Sequence, residues 1–205
     1  MDKTIQTRHG PLHARVEGSG PAILLAHGSH PDNSWQVWEH NLDALARAGY
    51  TVYALDLIGY GQSGCERLDH RGQVAALLDL LDAEGLETAT IGGVSWGGLI
   101  ALELALTAPA RVECLILVDA AGVGYFSEAQ MESISCSALV VWGEDDSVLP
   151  LANAAWFGAA LPNCQVETIA DVTTQPGVPP WGGHHPMRFK PDEFNRIVTT
   201  FLGAP

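Results

Sequence analysis

The chain has 205 residues, of which 47% are hydrophobic and 17% charged, and this composition predicts a folded protein with one substantial core. Its net charge of −14 disfavours nucleic acid and anionic membrane surfaces as partners, because both repel an acidic protein. We therefore expect a single domain over residues 1–205 that binds neither nucleic acid nor a membrane, and homo-oligomerisation stays open.

The cysteines and the N-terminus indicate a reducing compartment. None of the four cysteines stands in C-x-x-C spacing, so the sequence predicts no zinc site and no disulfide framework. The N-terminal residues lack an apolar signal segment, and no run approaches the ~20 apolar residues that span a bilayer. We expect a soluble cytoplasmic protein.

Apolar runs and helical spacing predict alternating strands and helices along most of the chain. An antiparallel pair comes first, over Thr4 to Glu17. The further predicted strands are Ala22 to Ala26, Thr51 to Leu57, Ala89 to Ile91, Val112 to Val118, Ala138 to Trp142 and Val166 to Ile169. The predicted helices are Trp35 to Ala48, Arg71 to Glu84, one after Ser95, Leu151 to Ala160 and Pro191 to Leu202. This alternation is typical of an α/β fold with a largely parallel sheet, whose chemistry collects at the carboxyl ends of the strands.

A glycine-rich turn holds one serine between a predicted strand and a predicted helix. The stretch Gly92 to Gly98 contains the pattern Gly93-x-Ser95-x-Gly97. In a nucleophile elbow the serine takes a strained backbone conformation, and glycines on either side avoid collisions with the strand and the helix. The pattern therefore predicts a Ser95 hydroxyl presented at a helix N-terminus, where backbone N–H groups stabilise an anion.

Plainer interpretations of this turn stay open. It would also serve as a glycine-rich connection that allows tight packing, with Ser95 as a helix cap. A phosphate-binding loop is disfavoured, because no lysine follows as in a P-loop and no G-x-G-x-x-G is present.

A serine nucleophile needs a base, and a histidine base needs a carboxylate that orients it. Asp146 follows the strand that ends at Trp142, and His184 follows the strand that ends at Ile169. The chain order Ser95, Asp146, His184 matches one known triad arrangement. In such a triad the histidine accepts the serine proton and the aspartate fixes the imidazole tautomer.

Alternatives to these assignments are close in the sequence. Asp145 and Asp119 each follow a predicted strand and compete for the role of acid, and His185 competes for the role of base. The adjacent histidines His184 and His185 do not predict a metal site, because neighbouring side chains in an extended chain point apart.

Taken together, these motifs resemble the α/β-hydrolase fold family. The residues that carry the resemblance are His27-Gly28, Asp56-x-x-Gly59-x-Gly61-x-Ser63, Gly93-Val94-Ser95-Trp96-Gly97, Gly143-Glu144-Asp145-Asp146 with Pro150, and Gly183-His184-x-Pro186. They span the chain from about residue 22 to the C-terminus, and their combination is highly specific. The resemblance implies a Ser95, Asp146, His184 triad, an oxyanion hole from the backbone N–H groups of Ser29 and Trp96, and no metal or cofactor.

The chain departs from many members of that family in one segment. Only Val123 to Cys136 separate two predicted strands, where relatives carry a cap of several helices, so we expect a nearly lidless enzyme. His30 and Trp181 adjoin the predicted site, and we expect them to contact substrate. We also expect the proline-rich segment from Asp171 to Trp181 to wall part of the site.

The sequence thus predicts a serine hydrolase that cleaves carboxylic esters with small to medium acyl chains through an acyl-enzyme. The same triad would also suit a lactone, an amide or peptide, a thioester or a carbon–carbon bond, and a non-catalytic binding protein is the remaining alternative.

Overall fold

The computed structural model describes residues 1–203, which form one eight-stranded sheet flanked by helices. The strands are β1 (Asp2–Thr7), β2 (Gly10–Gly18), β3 (Ala22–Ala26), β4 (Thr51–Asp56), β5 (Ala89–Val94), β6 (Val112–Val118), β7 (Ser137–Gly143) and β8 (Cys164–Ile169). The α-helices are α1 (Leu42–Arg47), α2 (His70–Ala83), α3 (Trp96–Thr107), α4 (Glu128–Glu132), α5 (Ala152–Ala160), α6 (Pro186–Phe189) and α7 (Pro191–Phe201). No described helix is long and apolar enough to cross a membrane.

The sheet has the order β1-β2-β4-β3-β5-β6-β7-β8. The hairpin β1–β2 joins β4 in antiparallel register, and all pairs from β4 to β8 are parallel. The chain leaves β3 toward β4 on one side and later returns to β5 on the other. A crevice forms at the carboxyl ends of strands where the order reverses in this way, so the loops after β3 and β5 border the expected ligand site.

Side chains of the central strands alternate between two apolar layers. In β3, Leu24 and Ala26 belong to the core beneath α2, α3 and α5, whereas Ile23 and Leu25 pack with residues of α1 and α7. All five residues of β3 are buried, as expected for a strand covered by helices on both faces. The predicted α/β architecture, with a mostly parallel sheet between two helical layers, is confirmed.

The single helix predicted from Trp35 to Ala48 is wrong. The segment forms a 3₁₀ turn over Trp35–Trp38 and then the short helix α1. The backbone N–H of Trp35 donates to Asp56 Oδ1 at 2.7 Å, and the buried Asn41 amide donates to Met187 O at 3.0 Å. These contacts fix both parts of the segment to other elements. Helical periodicity in the sequence gives no information about such contacts.

The connection between β6 and β7 contains no cap domain. The only helix between these strands is the five-residue α4. Ser127 caps it, because its side chain accepts from the Gln130 N–H while the Ser127 N–H donates to Gln130 Oε1. The carboxyl edge of the sheet is therefore left with minimal cover, as predicted.

Gly97→Ala tests the close packing of α3 against β3. A Cβ at this position would lie 2.3 Å from Ala26 O, a backbone atom that cannot rotate away. We expect the free energy of unfolding in urea to fall by about 3 kcal/mol, the cost of overpacking a core.

The matched control is Gly158→Ala in α5, where the new Cβ would meet only the Val166 side chain at the sheet edge. Its better helix propensity offsets the contact, so we expect a change below about 1 kcal/mol. Equal losses in the two variants would contradict the packing account.

Candidate active site

Ser95 occupies a strained turn between β5 and α3. Its φ of 56° and ψ of −118° lie outside the regions that non-glycine residues favour, a cost of about 1–3 kcal/mol that surrounding contacts must offset. The Ser95 N–H donates to Val118 O at 3.0 Å, and Ser95 O accepts from the Ala121 N–H at 2.9 Å. These bonds to the end of β6 and to the loop after it hold the elbow in place.

The glycines on either side of Ser95 allow the helix to lie directly against the sheet. A Cβ on Gly93 would lie 2.2 Å from the carbonyl carbon of Gly97, and a Cβ on Gly97 would meet Ala26 O. Neither contact is sterically possible, so any side chain at either position forces the helix away. Their spacing in the sequence thus follows from the closeness of the strand and the helix.

Asp146 and His184 lie side by side although 38 residues separate them. His184 Nδ1 is 2.7 Å from Asp146 Oδ2, and both side chains are almost completely buried. Asp146 Oδ1 accepts hydrogen bonds from the N–H groups of Val148 at 2.7 Å and Leu149 at 3.1 Å. With its oxygens occupied by donors, the carboxylate holds the imidazole in one orientation and leaves Nε2 available.

Two glycines allow this pair to form. A Cβ on Gly143 would lie 1.9 Å from Gly183 O, and a Cβ on Gly183 would lie 2.4 Å from Asp145 O. The backbone of the loop after β7 therefore packs directly on the backbone that carries His184. This close backbone contact explains why a glycine precedes the Asp-Asp pair and another precedes the His-His pair in the sequence.

Asp145, the adjacent candidate acid, faces away from the histidine. Its Oδ2 accepts a hydrogen bond from the Thr173 N–H at 2.6 Å and another from the Thr173 hydroxyl. Burial raises the pKa of Asp145, but the hydrogen bonds from Thr173 outweigh it and the pKa lies below its usual value. Asp145 thus anchors the loop before His184, and Asp146 orients the imidazole.

Asp119, the other candidate acid, lies beneath the Asp146–His184 pair. The residue is fully buried with a φ of 40°, and its Oδ1 accepts from the Gly143 N–H at 2.9 Å. Its Oδ2 has no hydrogen-bond partner among the described residues. Burial, and then the neighbouring Asp146 carboxylate, raise the pKa of Asp119 well above its usual value. Protonation would neutralise this buried oxygen, to which no hydrogen-bond donor is available within the described part of the chain.

His185, the alternative base, is placed less favourably. Burial lowers its pKa to about 3, with His184 and Arg188 adding to the effect. Its Nδ1 is buried with no hydrogen-bond partner among the described residues, so no carboxylate orients the ring. Its ring packs edge-to-face on His184 and Trp181, which makes it part of the wall of the site.

Ser95 and His184 line one cavity of about 560 Å³ at the carboxyl edge of the sheet. Its lining residues are Gly28, Ser29, His30, Asn33, Ser95, Val148, Trp181, His184, His185 and Arg188. No hydrogen bond joins the serine hydroxyl to His184 within residues 1–203, and such bonds often tighten only when substrate binds. A larger cavity of about 690 Å³, near the amino ends of the strands, includes neither residue.

The loop after β3 is shaped by the buried His27. Its Nε2 accepts from the Leu57 N–H at 3.1 Å, so its Nδ1 carries the proton and donates to Gly28 O at 2.7 Å. Burial lowers the pKa of His27 to about 4, which keeps the ring neutral. The N–H groups of Ser29 and Trp96 donate to no other described residue, so both are free to bind a ligand.

Two further contacts fix this loop to the rest of the site. The Asp56 carboxylate accepts the Trp35 N–H at the end of the loop, and the Tyr60 hydroxyl donates to Ser29 O at 3.2 Å. A Cβ on Gly61 would lie 2.4 Å from that carboxylate, which explains a glycine there. The Asp-x-x-Gly-x-Gly-x-Ser motif therefore supports the loop that carries the Ser29 N–H.

Both residues predicted to contact substrate, His30 and Trp181, line the cavity. The Trp96 ring packs on Tyr60 with ring centroids 6.1 Å apart, and Trp96 is not a lining residue. Of the proline-rich segment, Trp181 is a lining residue of the cavity, which agrees with the expectation that the segment walls part of the site.

Sequence reasoning missed three lining residues, Asn33, Val148 and Arg188. The position of Arg188 four residues after His184, within the turn that forms α6, was the available signal.

The residues of the site also offer a group of potential metal ligands. Asp119, Asp146 and His184 each provide a ligand atom within 4.8 Å of the others. We interpret the group as hydrogen-bonded, because His184 Nδ1 and both Asp146 oxygens already have partners within 3.1 Å. A metal ion would have to displace the hydrogen bond that orients His184.

Comparisons with known proteins agree with this architecture. The family model described as alpha/beta hydrolase fold matches residues 21–135. The crystal structure of a predicted CIB-like hydrolase from Thermoplasma acidophilum superposes with a TM-score of 0.85 at 26% identity, covering 98% of this chain and 97% of that one. The carboxylesterase CesB from Bacillus subtilis superposes with a TM-score of 0.84 at 20% identity, covering 98% and 91%.

Curated relatives match over a shorter segment. An uncharacterised protein of Mycobacterium tuberculosis is 44% identical over 121 residues, which are 58% of this chain and 35% of that protein. The 2-hydroxy-6-oxo-6-phenylhexa-2,4-dienoate hydrolase of Comamonas testosteroni is 34% identical over 129 residues, which are 60% of this chain and 45% of that enzyme. The match therefore spans less than half the length of either relative.

Asp119→Asn tests the protonation of the buried carboxyl. The raised pKa means that folded Asp119 binds a proton that the unfolded chain releases, so this residue makes wild-type stability fall as the pH rises above the normal aspartate range. An amide cannot titrate, so we expect the stability of the variant relative to wild type to increase with pH. This difference in unfolding free energy should increase by at most about 1.4 kcal/mol per pH unit. Urea unfolding from pH 5 to 8.5 measures it.

Asp145→Asn is the control, since the lowered pKa of Asp145 leaves it ionised in both the folded and unfolded states over this range. Its effect on stability should be constant with pH. A constant difference between wild type and Asp119→Asn would show that Asp119 is ionised in the folded protein.

Proposed function

The chain belongs to the alpha/beta hydrolase fold family, and on this premise we propose that it is a serine hydrolase that cleaves carboxylic esters through an acyl-enzyme. The observation that carries the proposal is that Ser95, on its strained elbow, lines the same cavity as His184, whose ring is held by Asp146. We further propose that residues 1–205 act as a single catalytic domain, because one sheet supports all three side chains.

In the first half of the reaction, Ser95 Oγ attacks the ester carbonyl carbon as its proton moves to His184 Nε2. Asp146 stabilises the imidazolium that forms, since its Oδ2 accepts a hydrogen bond from His184 Nδ1–H. The tetrahedral intermediate then collapses, the carbon–oxygen bond to the alcohol breaks, and His184 returns its proton to the leaving alkoxide. The acyl group stays on Ser95.

In the second half, His184 takes a proton from water, whose oxygen attacks the acyl carbon. Collapse of this second intermediate breaks the bond to Ser95 Oγ, which recovers its proton from His184. The products are a carboxylic acid and an alcohol, and the enzyme returns to its starting state.

The charge that develops on the carbonyl oxygen requires hydrogen-bond donors. We propose the N–H groups of Ser29 and Trp96, because neither donates to another described residue and Ser29 lines the cavity. The Trp96 N–H also begins the twelve-residue α3, whose N-terminus favours negative charge. Removing one such donor from other hydrolases costs about 10²–10³ in kcat.

The minimal cover over the site limits the size of the pocket. A cavity of about 560 Å³, without a cap domain above it, supports small to medium acyl chains. His30 and Trp181, which line this cavity, are the proposed substrate contacts.

A second candidate reaction is hydrolysis of a carbon–carbon bond. Two Comamonas testosteroni relatives match this chain at 34% identity. They are named 2-hydroxy-6-oxo-6-phenylhexa-2,4-dienoate hydrolase and 2-hydroxy-6-oxononadienedioate/2-hydroxy-6-oxononatrienedioate hydrolase. Since the match covers 45% of each of those enzymes, ester cleavage remains our first proposal and a dienoate substrate belongs in the same assay panel.

Ser95→Ala and His184→Ala test the proposed chemistry. Each variant lacks one of the two side chains between which the proton is transferred, so we expect kcat for a 4-nitrophenyl ester to fall by about 10⁴ or more. Circular dichroism and thermal unfolding check that both variants keep the fold. Ester turnover by Ser95→Ala at the wild-type rate would contradict the proposal.

The acid is assigned by comparing Asp146→Asn with Asp145→Asn. The first variant loses the acceptor that fixes the His184 tautomer and should lower kcat by about 10³–10⁴. The second changes the same functional group one residue away, where it contacts Thr173, and should lower kcat less than tenfold. The reverse order would transfer the role of acid to Asp145.

A further inference from the structure

Arg188 is a cationic residue in the lining of the cavity that holds Ser95 and His184. It lies in the short helix α6, four residues beyond His184, and it is a half-buried lining residue of the cavity. Its guanidinium carbon lies 5.7 Å from the centroid of the Phe189 ring, near the outer limit of a cation–π contact. No carboxylate of residues 1–203 lies within 4 Å of the guanidinium.

This position is unusual within the chain. Acidic side chains outnumber basic ones by 24 to 10, and five of the eight arginines pair with a carboxylate. The paired arginines are Arg8, Arg15, Arg47, Arg71 and Arg111. Of the other three, Arg67 stacks on Tyr60 at 4.4 Å, Arg196 is exposed on α7, and Arg188 alone lines the cavity.

The rest of the cavity lining does not compensate this charge. None of the ten lining residues is an aspartate or a glutamate. His185 stays neutral at physiological pH, because burial lowers its pKa to about 3. Arg188 is therefore the only permanently charged side chain in the lining, and it lies in a chain whose net charge is −14.

A half-buried guanidinium without a partner favours a planar anion. Its N–H donors match the two oxygens of a carboxylate in parallel hydrogen bonds, and partial burial strengthens them. A phosphate dianion fits less well, because the lining provides no second cationic side chain to balance its second charge. The chemistry of the cavity thus points to a substrate with one carboxylate group in addition to the bond that is cleaved.

We propose that Arg188 is a specificity-determining residue that binds a carboxylate of the substrate, so that the preferred substrates are monoesters of dicarboxylic acids or similar anionic esters. This inference rests on the proposed function, since it assigns the substrate class of the same site. Arg188 acts by binding the distant end of the substrate, and the reacting carbonyl is left to Ser95 and the oxyanion hole.

The test compares pairs of esters that differ in one terminal group. Monoethyl succinate, glutarate and adipate are matched with ethyl butyrate, pentanoate and hexanoate, in which a methyl group replaces the carboxylate. We expect wild-type kcat/KM to favour the anionic member of at least one pair, and Arg188→Gln to lower that ratio by about 10–100-fold, mainly through KM, as for the loss of a charged hydrogen bond. Arg188→Lys should retain part of the preference.

Arg196→Gln is the matched control, because it removes the same charge from an exposed position on α7 outside the cavity. Its ratio should stay within about twofold of wild type. The carboxylate assignment would be overturned if Arg188→Gln left the kcat/KM ratio of anionic to neutral ester unchanged, or if Arg196→Gln lowered it equally. It would also be overturned if inorganic phosphate inhibited competitively at lower concentrations than glutarate.

A binding measurement separates this inference from the proposed function. Calorimetric titration of Ser95→Ala with monoethyl glutarate and with diethyl glutarate requires no turnover. Tighter binding of the monoester that is lost in Ser95→Ala/Arg188→Gln supports the carboxylate site even if wild type hydrolyses no ester. Equal binding of the two esters would overturn it even if the enzyme is an active esterase.

Discussion

The site depends on the contact between two glycines. Gly143 and Gly183 let the loop after β7 pack backbone against backbone on the loop that carries His184, and the 2.7 Å contact between His184 and Asp146 follows from that approach. Burial of both side chains lowers the local dielectric constant and strengthens this hydrogen bond. A side chain at either glycine would separate the imidazole from its carboxylate.

Opposite this pair, the sheet positions the proposed nucleophile and the proposed anion-binding groups. Ser95 follows β5 and Ser29 follows β3, and these strands are neighbours where the strand order reverses. Strain at Ser95 is sustained by hydrogen bonds to Val118 and Ala121, and the Ser29 loop is held by His27 and the Asp56 network. Structural groups outside the proposed triad therefore determine where a reacting carbonyl group would lie.

Much of this arrangement was predictable, because the signals are local. Apolar runs and glycine spacing identified the strands, the elbow at Ser95 and the small connection after β6, and these features of the fold are confirmed. The split of the predicted helix over Trp35 to Ala48 and the exposure of Arg188 to the cavity depend on partners distant in sequence, which periodicity does not report. Which of Asp145 and Asp146 contacts His184 could not be read from the sequence for the same reason, since both residues follow β7.

The most direct measurement of the central claim is covalent labelling with a fluorophosphonate, followed by mass spectrometry of the digested protein. If His184, held by Asp146, activates Ser95, one adduct should form rapidly on the peptide that contains Ser95, and His184→Ala should slow its formation by orders of magnitude. Absence of an adduct, or an adduct on a different residue, would contradict the account.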